Sequence, residues 1–76
     1  MVATNDLSVD ARAAVVAALE SQADDCIKSA VFHEGLNRLA PSPEMAAIAE
    51  TFRSVAARLR NHAGKLKASA LCALSL

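Results

Sequence analysis

Residues 41–73 read PSPEMAAIAETFRSVAARLRNHAGKLKASALCA, and the fold follows from how their apolar positions recur. Met45, Ile48, Phe52, Val55, Leu59, His62, Leu66, Ser69 and Ala73 return at alternating steps of three and four. That spacing predicts one long helix from Pro43 to about Ala73, with these residues at the a and d positions of a heptad. Such a stripe needs a cover. Within the chain only the segment before Pro41 is long enough to supply it.

Working back from Pro41, that segment reads as a second long helix over about 8–39. Ser8 is suited to cap its start, and Asp10 places a carboxylate at the positive end of the helix dipole. Its stripe is Val9, Val16, Leu19, Ala23, Cys26, Ala30 and His33, drifting to Leu36 and Leu39, with Ile27, Val31 and Phe32 beside it. Gly35 costs about 1 kcal/mol relative to alanine inside a helix. Leu36 and Leu39 keep the period beyond it, so the helix is expected to continue. Gly64 raises the same question for the second helix, as a site of kinking. Pro41 stops the first helix because the residue before a proline is pushed out of the α region. Ser42, Pro43 and Glu44 then supply a cap, a first helical position and an acidic first turn. A connection this short makes the helices antiparallel neighbours. Residues 1–7 read as a flexible N-terminal arm, and residues 8–76 as one helical hairpin domain.

Composition agrees with narrow helix packing. The 76 residues are 54% hydrophobic but only 3% aromatic, and the net charge is zero. Alanine-rich chains favour helices and lack the bulky residues that fill wide cores, while high apolar content argues against disorder. No apolar run approaches the ~20 residues of a membrane span. The first ten residues lack the basic start of a secretory signal. Two cysteines far apart within helical patterns suit a reduced, cytoplasmic protein better than a disulfide scaffold.

A lone hairpin of two such arms would leave Ile27, Val31 and Phe32 in water. The expected architecture is therefore all-α: an antiparallel two-helix hairpin that homodimerises into a four-helix bundle. Ile27, Val31, Phe32, Met45, Ile48, Phe52, Val55 and Leu59 are the expected intra- and intermolecular core. Charge placement points the same way. Residues 1–50 hold all eight acidic residues against three basic ones, a net of −5, and residues 51–76 hold the other five basic residues. With a turn near Pro41, facing residue numbers sum to about 83. The acidic Glu20, Asp24 and Asp25 then lie across from the basic arm. Exposed ion pairs are each worth only ~0–1 kcal/mol, so they select the pairing more than they stabilise it.

Few residues offer chemistry. Arg53, Arg60 and Lys67 share one heptad position and Arg58 and Lys65 another, a spacing that suits contact with an anion or a nucleic-acid backbone. The same row is equally suited to neutralising the acidic arm. Cys26, His33, His62 and Cys72 have no metal-site spacing, so neither metal nor cofactor is expected. Without a Gly-rich loop or a deep pocket the chain is not expected to be an enzyme. Phe32-His33-Glu34-Gly35-Leu36 resembles the phospho-acceptor box of one branch of sensor histidine kinases. His62 with Lys65 three residues on is distantly similar to histidine phosphotransfer domains, although Leu66 stands where those place a glycine. Each likeness covers about eight residues and implies a phosphotransfer module on a helical bundle. The leading expectation is a non-catalytic protein that acts by protein–protein interaction as an adaptor, regulator or assembly factor. Its expected partners are itself and another protein. Nucleic-acid binding and histidine phosphotransfer are the alternatives.

Overall fold

A computed structural model describes residues 9–75, with side chains to Ser69. It contains two helices, α1 (Val9–Leu39) and α2 (Pro43–Ser75), and no strand among the described residues. They form an antiparallel hairpin. The proposed cap Ser8 and the arm 1–7 lie outside the described residues.

Both helices carry the expected acidic residue in the first turn. Asp10 sits in the first turn of α1 and Arg38 in the last, while Glu44 occupies the first turn of α2, each complementing the local dipole. At the corner, Ala40 donates its N–H to the Leu36 carbonyl at 2.9 Å. Ser42 accepts from the Ala46 N–H through its carbonyl at 3.2 Å. Its own N–H donates to Asn37 Oδ1 at 2.7 Å, tying the turn back to the end of α1. A backbone donor that neither helix would satisfy is thus paired by a side chain. Neither glycine interrupts its helix. An added Cβ would meet no atom within 4 Å at Gly35 or Gly64.

Register follows from three cross-helix contacts. The rings of His33 and Phe52 lie 5.5 Å apart, Glu34 bonds Arg53, and Glu20 bonds Lys67. Facing residue numbers thus sum to 85–87, which sets Ala30 opposite Ala56 and Ala23 opposite Ala63. The buried apolar residues agree: Val16, Ala23 and Ala30 on α1, and Ala49, Ala56 and Ala63 on α2, each seven apart. Large side chains alternate with them at the half-buried positions Leu19, Cys26 and His33, and Met45, Phe52, Leu59 and Leu66.

Here α2 departs from the stripe expected of it. Met45, Phe52, Leu59 and Leu66 do face α1, but the other seam positions are Ala49, Ala56 and Ala63 rather than Ile48, Val55 and His62. Both strings satisfy the three-four period because they are offset by one residue. Alanine wins because interaxial separation is set by the side chains at the contact, and two facing methyl groups let the backbones approach closely. Ile48 and Val55 are consequently 40% and 37% exposed. The ends of the α1 stripe are also out of the seam: Val9 and Leu39 are exposed, and Leu36 is half-buried.

Two substitutions test this seam. Ala56→Leu should overpack the closest contact and cost about 1–3 kcal/mol. Gly64→Ala should stabilise by about 0.4–1 kcal/mol, since the helical backbone and open space already accommodate a methyl group. At about 4–8 °C of melting temperature per kcal/mol for a domain of this size, thermal circular dichroism resolves both.

Candidate functional site

The two broad sides of the hairpin differ in chemistry. On the side next to the alanine line, α1 presents Glu20, Ile27 and Glu34 at one heptad position, and α2 presents Arg53, Arg60 and Lys67. Arg53 grips Glu34 with two bonds, Nε to Oε2 at 2.7 Å and a terminal nitrogen to Oε1 at 2.6 Å. Lys67 Nζ lies 2.9 Å from Glu20 Oε2, and Arg60 reaches Asp24 Oδ1 at 3.0 Å. Ile27 occupies the place where an acid would face Arg60, so the guanidinium turns to Asp24 on the outer edge of α1. All three pairs are solvent-exposed, and their main effect is on register and orientation.

The bidentate pair is the tightest of the three. The hydrogen bond from Arg53 holds the Glu34 carboxyl below its ordinary value of 4.5; desolvation opposes it, and the charges of Arg53 and Arg38 add to it. The same bond makes Arg53 hold its proton more firmly.

The other side is apolar. The half-buried row of Leu19, Cys26, Met45, Phe52 and Leu59 is flanked by exposed Val15, Phe32, Ile48 and Val55. Phe32 is 62% exposed and packs its ring edge-on against His33, with centroids 5.4 Å apart. Of the eight residues expected to form a core, six gather here: Phe32, Met45, Ile48, Phe52, Val55 and Leu59. Ile27 and Val31 fall on the ion-pair side instead, Ile27 half-buried and Val31 half-exposed.

The candidate anion-binding residues are divided in the same way. Arg53, Arg60 and Lys67 are engaged in ion pairs, whereas Arg58 and Lys65 stand exposed at the edge of the apolar side, with no ion pair among the described residues. His33 donates from Nδ1 to the Ser29 carbonyl at 2.7 Å, and its ring lies 5.4 Å from that of Phe32 and 5.5 Å from that of Phe52. His62, displaced from the seam by Ala63, is exposed. Cys26 is a half-buried free thiol, and the side chain of Cys72 lies outside the described residues. No cluster of three or more metal-ligating side chains occurs among the described residues.

Two residues carry roles that the heptad reading missed. Arg12 is buried near the open end and donates to Ser69 Oγ at 3.1 Å. Asn37 holds the turn, and a polar residue at a seam position four before Pro41 was its only signal. An open groove of about 390 Å³ also lies at that end, between Val9, Ala13, Val16 and Ala17 of α1 and Leu66 of α2. No helix among the described residues is long and apolar enough to cross a membrane. Comparison with known protein families, with curated proteins and with solved structures finds no match.

The Glu34–Arg53 pair makes a signed prediction. A carboxyl held below 4.5 in the folded state contributes stability above that value and loses it as the pH falls through the folded value. Glu34→Gln should therefore melt below the wild type near neutral pH, and the gap should close as the pH is lowered past 4.5. A gap that stays constant into acid would remove the pair from the account.

Proposed function

We propose that this chain is a non-catalytic interaction module, a helical hairpin that homodimerises into a four-helix bundle and serves as an adaptor, regulator or assembly factor. The observation that supports this most is the uncovered apolar side, where large side chains lie exposed or half-exposed along one face while the hairpin's own core is mostly alanine. An apolar helical face gains stability when further helices cover it, as in a four-helix bundle.

The nucleic-acid alternative is weakened because three of its five cations are occupied by carboxylates. The histidine-box alternative is weakened at His33, which is half-buried with one ring nitrogen engaged.

The test is the solution mass in reductant across a concentration series. The wild type should show twice the chain mass. Val55→Asp, which puts a charge on the apolar side but outside the seam, should be a monomer that keeps its helical circular dichroism. A monomeric wild type at high concentration would overturn the homodimer and direct attention to a different partner for the same face.

A further inference from the structure

The apolar side has an orientation as well as a composition, and its edges show how a second copy would lie on it. Val15, Gln22, Ser29 and Leu36 mark the rim of this side on α1, and Ile48, Val55, His62 and Ser69 mark it on α2. One step outward, α1 carries Ala18, Asp25 and Phe32, and α2 carries Thr51, Arg58 and Lys65. Asp25 and Arg58 are exposed, and neither forms an ion pair among the described residues. Their numbers sum to 83, close to the register sums of 85–87, so they stand at nearly the same height on opposite edges of the face.

We infer that two copies pack through this side with their turns at the same end, so that α1 of each copy lies on α2 of the other. This rests on the homodimer reading above and specifies its geometry. A two-fold axis parallel to the helices brings the α1 edge of one copy onto the α2 edge of its partner at equal height. Asp25 then meets Arg58 of the other copy, twice by symmetry. Leu36 meets Ile48, Gln22 meets His62, and Ser29 meets Val55, so apolar residues meet near the turn and polar ones toward the open end. Turning the second copy end for end would instead lay α1 on α1 and α2 on α2. With full overlap, Asp25 would then approach Asp25, and Arg58 with Lys65 would approach the same cations, which opposes association.

Two measurements test the alignment in a protein already shown to be a dimer. The first is charge exchange in the otherwise native chain. Asp25→Arg and Arg58→Asp should each raise the dimer dissociation constant about tenfold, since attraction becomes repulsion at two related places. The double variant should return to within about threefold of the wild type. Single variants that dimerise as tightly as the wild type, or a double variant weaker than either single, would overturn the pairing. The second measurement places one spin label at Ala40→Cys in a Cys26→Ala, Cys72→Ala background and reads the distance between copies by pulsed electron resonance. Turns at one end predict a separation below about 25 Å. For helices about 45 Å long, an end-for-end dimer gives more than about 30 Å. The longer distance would overturn this alignment while leaving the homodimer intact, whereas a monomeric wild type would overturn both.

Discussion

Alanine at every seventh position of the contact is the constraint on which the rest of this hairpin depends. Ala23 and Ala30 face Ala63 and Ala56 in the register set by the cross-helix contacts, and all four are essentially inaccessible to solvent. Facing methyl groups give little apolar area compared with leucines, but they allow the two backbones to lie close. Close approach fills the seam with the alanine line and pushes the larger neighbours toward one side. The half-buried row of Met45, Phe52 and Leu59 follows from this, and so do the exposed positions of Ile48 and Val55.

Charge and apolarity are therefore sorted to opposite sides by a single geometric choice. On the side next to the alanines, the acidic arm meets the basic arm through Glu34–Arg53, Asp24–Arg60 and Glu20–Lys67. Each pair contributes little stability in water. Together they discriminate against a hairpin slipped by one turn, because a slip would separate three charges from their partners at once. That side is already satisfied within one chain. The apolar side is the one with surface left to cover, which is why the interaction reading rests there.

Much of this architecture is legible in the residues. Proline at 41 and 43 and the three-four period on both flanks define two helices and their antiparallel packing. The segregation of acids before residue 51 from bases after it indicates which arms meet. The seam on α2 was less legible. Ile48 and Ala49 are adjacent, either choice satisfies the period, and hydrophobicity favours the isoleucine. Packing favours the alanine, because the opposing arm offers Ala23 and Ala30 at the same interval and small residues on both arms define the closest line. The chemistry of the candidate site was legible only in part. Heptad position identified Arg53, Arg60 and Lys67 as a row, but which carboxylate each would take depended on Ile27 interrupting the acidic row. The roles of Asn37 and Arg12 depend on a turn geometry and an end contact that no periodicity encodes.

The alanine seam is best tested by nuclear Overhauser contacts between methyl groups in alanine-labelled protein. Cross-peaks linking Ala30 to Ala56 and Ala23 to Ala63 are the expected result. These should persist in the Val55→Asp variant, where association between copies is removed. Their absence, with Ala23 and Ala30 instead contacting Ile48 and Val55 in that variant, would mean that α2 presents its large residues to α1. The apolar side on which the interaction reading rests would then be the hairpin's own core.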